Sequence, residues 1–297
     1  MLRSSRMPSN SPTETPDGKL FVVATPIGHM EDITLRAIRT LKEVDLIAAE
    51  DTRQTQKLLA RYKISTPLVS YHDHNKKKRT PELVHKLKAG RSIALVTDAG
   101  TPSISDPGYY LIREAVREAI STVPIPGASA AIAALSISGL PTDSFIFIGF
   151  VPRKPAKRKE LLDELKEQQR TLVFYESPKR VLGLMREILN VMGNRKAVLA
   201  RELTKVHEEI LRGPLSAVLK ELSARSFLKG EFTLLVAGRE GVPEIDHKSV
   251  LDDIKRLRHE QDRSLSDVVK EIARQYNVSR KLVYEQALKL EKNGKSW

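Results

Sequence analysis

From Lys19 to Gly238 the chain alternates short apolar runs with amphipathic stretches, and this rhythm restricts the fold more than any other feature. "LFVVAT" (Leu20–Thr25), "DLIAAE" (Asp45–Glu50), "PLVSY" (Pro67–Tyr71), "SIALVT" (Ser92–Thr97) and "STVPI" (Ser121–Ile125) have the length and composition of strands buried on both faces. Between the first two, "ITLRAIRTLKEV" (Ile33–Val44) sets Ile33, Ala37, Leu41 and Val44 on one helical stripe. Helical patterns separate most of the remaining runs. Repeated strand, helix and strand predict an α/β fold with a mostly parallel sheet.

A helix of very small residues, "ASAAIAALSISG" (Ala128–Gly139), closes this part. A second α/β segment follows, with strands "SFIFIGFVP", "TLVFYE" (Thr171–Glu176), "AVLAREL" (Ala197–Leu203) and "EFTLLVAG" (Glu231–Gly238) and a helix over Lys159–Gln168. The hairpin-like spacing of its late strands predicts a mixed sheet. With the break placed near Leu140–Arg153, the predicted domains are 19–140 and 141–240. They follow a disordered lead-in over 1–18, rich in Ser, Pro and Thr.

Beyond "REGVPEIDHK" only helical patterns remain, which predicts a small all-α extension over 248–292. "SLSDVVKEIARQYNVSRKLVYEQALKL" reads as two helices around a turn at Tyr276-Asn277-Val278, with Ser279 capping the second. Ala273, Val278 and Val283 take the packing positions of a helix-turn-helix, and Arg280-Lys281 opens the candidate recognition helix. A plain three-helix interaction module has the same pattern.

Charge bears on which of these applies. The chain of 297 residues carries a formal net charge of +13. Part of the surplus is clustered at Lys76, Lys77, Lys78 and Arg79, and again at Arg153, Lys154, Lys157 and Arg158. A generally basic surface explains this blandly; an electrostatic footprint for nucleic acid explains it sharply. The basic tail favours the second reading. Cysteine is absent, which excludes disulfides and thiolate metal sites. The pair His72 and His74 lacks further ligand spacing, so no metal site is predicted. No apolar run reaches bilayer-spanning length, and the N-terminus lacks the apolar core of a signal peptide. A cytoplasmic protein without membrane contact is expected.

The strand ends carry the chemistry. In an open parallel sheet, ligands bind where the carboxyl ends of the strands gather. Here those ends read "TPIGHMEDIT", "EDTRQT", "VTDAGTPSISDPG" and "IPGASAA": Gly, Pro, Ser, Thr and carboxylates in place of bulk. Gly28, Gly100 and Gly127 would let backbone approach a ligand closely. Neither phosphate-binding glycine motif is present, and the carboxylates repel phosphate. A cationic or zwitterionic ligand with an apolar body suits these residue types, and S-adenosylmethionine is one.

The motifs "VVATPIG", "AAEDTR", "SYHDHN", "TDAGTPSISDPG", "IPGASA", "LPTD", "TLVFYESP", "ARELTKVHEE" and "GEF", in this order, make the chain resemble the tetrapyrrole methylase superfamily. Within it, the chain is similar to the ribosomal small-subunit (16S) RNA cytidine 2′-O-methyltransferase family. The resemblance implies two α/β domains with S-adenosylmethionine in the cleft between them, usually in a homodimer, acting on 16S rRNA or the small ribosomal subunit. It places the cofactor against Pro26, Ile27 and Gly28, against the loop holding Asp98, Gly100, Thr101 and Ile104, and beside Ser129 and Ala130. Further contacts fall near Tyr175, Ala200 and Phe232. For a reaction that removes a proton from a ribose hydroxyl, the candidate catalytic groups are Glu50, Asp51 and Glu176, with Arg53 positioning phosphate or ribose. A structural salt bridge or helix cap is the bland alternative for each. Methylation of a small tetrapyrrole, and a non-catalytic nucleic-acid-binding regulator, are the rival functions.

Overall fold

The computed structural model describes residues 18–239, 247–261, 264–276, 278, 280, 283–285 and 287–288. Strands β1 (Leu20–Val23), β2 (Leu46–Ala49), β3 (Leu68–Ser70), β4 (Ile93–Val96) and β5 (Thr122–Ile125) form one sheet in the order β3-β2-β4-β1-β5. Every neighbouring pair in it is parallel. Helices α1 (Leu35–Glu43) and α2 (Thr52–Arg61) follow β1 and β2, and α3 (Lys76–Lys88) and α4 (Tyr109–Arg117) follow β3 and β4. Leu41 and Leu58 pack with Val23, Ile47 and Val96 on one face of the sheet. Leu83, Leu87 and Leu111 pack with Leu20, Ile93 and Leu95 on the other. Burial on both faces explains why these strands read as unbroken apolar runs.

The chain leaves β1 toward β2 and leaves β4 toward β5, in opposite directions from adjacent strands. That is a topological switch point, where an open sheet forms a crevice. An isolated antiparallel bridge joins the two departing loops, with Thr25 N–H donating to Gly100 O at 2.9 Å and Gly100 N–H to Thr25 O at 3.0 Å.

The second sheet holds β6 (Phe145–Phe150), β7 (Thr171–Glu176), β8 (Lys196–Arg201), β9 (Glu209–Pro214) and β10 (Phe232–Val236), in the order β6-β7-β10-β8-β9. It is mixed: β6 and β7 are parallel, and the other pairs are antiparallel. Helices α6 (Pro155–Leu165), α7 (Val181–Met192) and α8 (Leu215–Ser223) complete this half. Strand β9 has no counterpart among the runs read from the sequence. It is an edge strand whose side chains stay partly exposed, so "EILRGP" lacks a buried strand's apolar density.

A second correction concerns the basic cluster at Arg153, Lys154, Lys157 and Arg158. Pro155 starts α6 within it, at the position where a missing N–H and fixed φ suit a helix. Arg158 is turned inward. Its guanidinium donates to both oxygens of Glu187 at 2.6 Å and to the carbonyls of Pro152 and Arg153.

Helix α5 (Ala130–Ser136) joins the halves. Its Ala131, Ala134 and Leu135 pack on Val173, Val198 and Leu235 of the second sheet, together with Ile27 from the first. Both sheets belong to one compact unit ending at Gly238.

The C-terminal unit is helical, with α9 (His247–Gln261) and α10 (Leu265–Gln275) followed by helical residues at 280, 283–285 and 287–288. Ser264 caps α10 by accepting from Asp267 N–H. Ala273, Val278 and Val283 pack with Val250, Ile254 and Ile272 in its own core. Tyr276 Oη donates to Asp253 at 2.7 Å and ties the turn to α9. Asn277, Ser279 and Lys281 lie outside the described residues.

Candidate active site

The cleft begins with the loop 97–108 between β4 and α4. Four of its residues have left-handed backbone: Gly100 (φ +83°), Ser103 (+68°), Ser105 (+64°) and Gly108 (+145°). A side chain at such φ costs on the order of 1–3 kcal/mol. Two serines held there mark a loop fixed by its surroundings, and the bridge to Thr25 is one of its anchors. Ser105 Oγ lies 2.5 Å from where a Cβ on Gly149 would stand, so the bulge in β6 is shaped around it.

This loop borders a cleft of about 350 Å³. Five carboxylates line it, Glu50, Asp98, Asp106, Glu176 and Glu231, and no Lys, Arg or His does so among the described residues. Its apolar walls are Ile27, Ile104, Ala130, Phe150, Tyr175 and Phe232. Tyr175 also fixes the geometry: its oxygen accepts from Ala131 N–H at 3.0 Å, and its ring packs edge-on to Phe147 and Phe150. Burial raises the Tyr175 pKa, which keeps it a neutral phenol.

The carboxylates differ in state. Glu50 Oε2 accepts from the Thr97 hydroxyl at 2.6 Å. Asp51 caps α2 and grips Arg53, accepting from Nε at 3.1 Å and Nη2 at 2.7 Å; that guanidinium holds its carboxyl down at about 2. Burial raises Asp98, and the charges of Glu50 and Asp51 add to it, although the Asp51 amide donates to its Oδ1 at 3.0 Å. Asp106 is pushed up to about 6, first by burial and then by repulsion from Glu50. Glu176 is 2% exposed, with Oε1 accepting from Ser177 N–H and Oε2 lying 2.9 Å from the Arg180 guanidinium.

Of the residues expected from the sequence, Ile27, Asp98, Gly100, Thr101, Ile104, Ser129, Ala130, Tyr175 and Phe232 line this cleft, as do Glu50 and Glu176. Pro26 and Gly28 border an adjoining cavity of about 370 Å³. Ala200 does not reach either; it is 1% exposed in the apolar layer beneath. Asp51 and Arg53 stand outside, Arg53 with its side chain 87% exposed. Among the basic residues, Lys77, Lys78, Arg153, Lys154, Lys157 and Arg280 are at or near the surface. Lys76 and Arg79 pair with Asp73 and Glu82. Arg158 does not fit the expected nucleic-acid contact, because its donors are consumed inside the fold.

Gly28 has a different reason for being glycine than the expected approach to a ligand. A Cβ there would stand 2.6 Å from both Thr204 Oγ1 and Lys205 Cγ. The β8–β9 loop closes over it, with His29 N–H donating to Thr204 Oγ1 at 3.0 Å.

Asp106, Glu231 and Lys205 are site residues that the sequence reading passed over. Asp106 stands inside a quoted motif, "TDAGTPSISDPG", without being singled out there. Lys205 reaches the site only through tertiary contacts, and no local signal announces it.

Comparisons with known proteins agree with this geometry. A family model described as Tetrapyrrole (Corrin/Porphyrin) Methylases matches residues 19–219. A Halalkalibacterium halodurans protein named "Ribosomal RNA small subunit methyltransferase I" is 54% identical over 221 residues, 74% of this chain and 76% of that protein. A Synechocystis protein of the same name is 44% identical over 280 residues, 93% of this chain and 100% of the relative. Among solved structures, the uroporphyrin-III C-methyl transferase from Thermus thermophilus complexed with S-adenyl homocysteine has a TM-score of 0.54. It is 19% identical and covers 73% of this chain and 97% of its own.

Proposed function

Because the chain belongs to the tetrapyrrole (corrin/porphyrin) methylases, we propose that it methylates small-subunit ribosomal RNA with S-adenosylmethionine, at the ribose 2′-hydroxyl of a cytidine in the 16S decoding centre. The observation that carries the RNA reading is the 44% identity to a small-subunit rRNA methyltransferase along 93% of the chain. A likeness of 19% to a tetrapyrrole methyltransferase reaches the fold alone.

The donor set fits the cofactor. Glu50, Asp98 and Asp106, which have no ion pair to a cation among the described residues, suit a ligand with a sulfonium and an ammonium, and Ile27, Phe150, Tyr175 and Phe232 suit a flat heterocycle. Bound there, S-adenosylmethionine supplies a methyl group on a positively charged sulfur. The rest is the work of the chain. The rigid loop 97–108 and Tyr175 align the partners, and alignment is where most of the rate of a simple displacement originates. A ribose hydroxyl must also lose its proton. Asp106, with a pKa of about 6, is matched to accept it near neutral pH. Glu50, held by Thr97, is the second candidate acceptor.

The same reading includes a homodimer and a tail that binds RNA. The test is to incubate the protein and labelled cofactor with undermethylated small subunits and map the modified nucleotide. A single 2′-deoxy substitution at the target should abolish transfer and leave binding within about 1–2 kcal/mol, the scale of one hydrogen bond. Label on the deoxy nucleotide would overturn the ribose assignment.

A further inference from the structure

A cavity of about 370 Å³ lies beside the carboxylate cleft. Apart from Thr97 and the residues it shares with that cleft, its walls come from three places. The loop after β1 gives Thr25, Pro26, Gly28 and Met30; helix α2 gives Gln54, Thr55, Lys57 and Leu58; the β8–β9 loop gives Lys205. It exists because that last loop crosses to Gly28, and Lys205 is pinned there between Glu202 at 2.8 Å and Glu231 at 3.1 Å.

The two cavities share a wall made of Ile27, Asp98, Ala99 and Glu231. They differ in charge: the first is acidic, the second balanced. The first presents five carboxylates and no cation. The second adds Lys57 and Lys205 to the two shared acids. Lys57 is exposed, and its Nζ donates to the neutral Gln54 Oε1 at 2.9 Å, with no ion pair to a carboxylate among the described residues. Among the described lining residues, the first chamber offers only negative charge, while in the second Lys57 is a cation open to an anion.

From this division we infer that the second cavity takes the methyl-accepting ribonucleotide, with Lys57 reading a backbone phosphate. The inference rests on the RNA-methylation reading and sharpens it. The volume lies within the range of about 300–1,000 Å³ used for small-molecule sites, enough for one extruded nucleotide. Pro26, Met30 and Leu58 offer apolar surface to a base, and the exposed Gln54 offers an amide for hydrogen bonding. The acceptor oxygen then meets the donor across Asp98. There a new carbon–oxygen bond replaces the carbon–sulfur bond, sulfur keeps the electron pair, and the hydroxyl proton passes to Asp106 or Glu50 on the far side of the wall.

The test uses the full chain with Lys57→Glu, Lys57→Arg and Met30→Trp. Three quantities are read: affinity for S-adenosylhomocysteine by calorimetry, KM for undermethylated small subunits, and anisotropy of a fluorescent oligoribonucleotide at several salt concentrations. Lys57→Glu should raise KM tenfold or more and lower the salt slope by about 1, as loss of one phosphate contact does. Lys57→Arg should stay within threefold of the parent, and Met30→Trp should obstruct transfer. In all three, affinity for S-adenosylhomocysteine should change less than twofold. Unaltered KM and salt slope in Lys57→Glu and Met30→Trp would overturn the assignment, as would an equal loss of cofactor affinity. A parent protein that binds the oligoribonucleotide through Lys57 yet methylates no subunit would sink the reaction and keep the cavity.

Discussion

Two loops meet at the site, and each holds two non-glycine residues in left-handed backbone. The β4–α4 loop has Ser103 and Ser105; the β8–β9 loop has Glu202 and Thr204 (φ +51° and +62°). One loop is made of small residues and forms the cleft's floor. The other is made of large charged residues and closes over the first half as a clamp. Comparable backbone strain thus serves two purposes, shaping a surface in one place and joining two sheets in the other. The distinction is in the side chains: a surface that touches a ligand must be empty of bulk, whereas a clamp needs groups long enough to reach.

The strongest way to break this comparison is to fill the surface. Ser129→Trp places a large ring in the carboxylate cleft and should lower S-adenosylhomocysteine affinity at least a hundredfold by calorimetry, with the thermal midpoint little changed. Unchanged affinity would separate the floor loop from ligand binding. Gly28→Val attacks the clamp instead. Its branches would meet Thr204, Lys205 and the Leu203 carbonyl, 2.8 Å from a Cβ. Overpacking of this kind costs about 1–3 kcal/mol, read as a lower denaturation midpoint.

A gentler test is pH. Asp106 ionises near 6 in the folded chain against 3.8 ordinarily, so the folded form holds that proton more tightly than the unfolded form. Its contribution to stability is therefore greatest below about pH 4 and is lost as pH rises through 6. Asp106→Asn should stabilise the ligand-free protein at pH 8 and make little difference at pH 4. A cationic ligand prefers the ionised carboxylate, so parent affinity should climb up to about tenfold from pH 5 to 7.5. A flat profile in the parent would remove Asp106 from the contact. The smallest effects come from relieving strain. In Ser103→Gly with Ser105→Gly, or Glu202→Gly with Thr204→Gly, the added chain entropy of two glycines offsets most of the relieved strain, so each pair should shift stability by no more than about 1 kcal/mol. Only the first pair should weaken cofactor binding, because only that loop is a ligand surface.

The same contrast explains what could be read from the sequence. Strands β1, β2, β4, β7 and β10 lie in continuous apolar runs because both their faces are covered. The small-residue loop announced a ligand through its composition. The clamp did not: "ELTKVHEE" looks like any solvated charged segment, and its meaning depends on Gly28, some 175 residues earlier in the chain. Arg158 misled for a related reason. A basic cluster signals surface only while its charges lack partners, and Glu187 lies 29 residues away. Strand β9 was hidden because an edge strand need not be apolar.

Helix α5 sets a timetable for the protein's own synthesis. Its Ala131, Ala134 and Leu135 are covered by strands that end with Val236. About 100 more residues must therefore emerge from the ribosome before this face is buried. At roughly 5–20 residues per second, that is an interval of about 5–20 s. Throughout it the first sheet can assemble, but its nascent chain displays a sticky helix. This makes the delay a window for a chaperone, or for aggregation, that opens once in every round of translation.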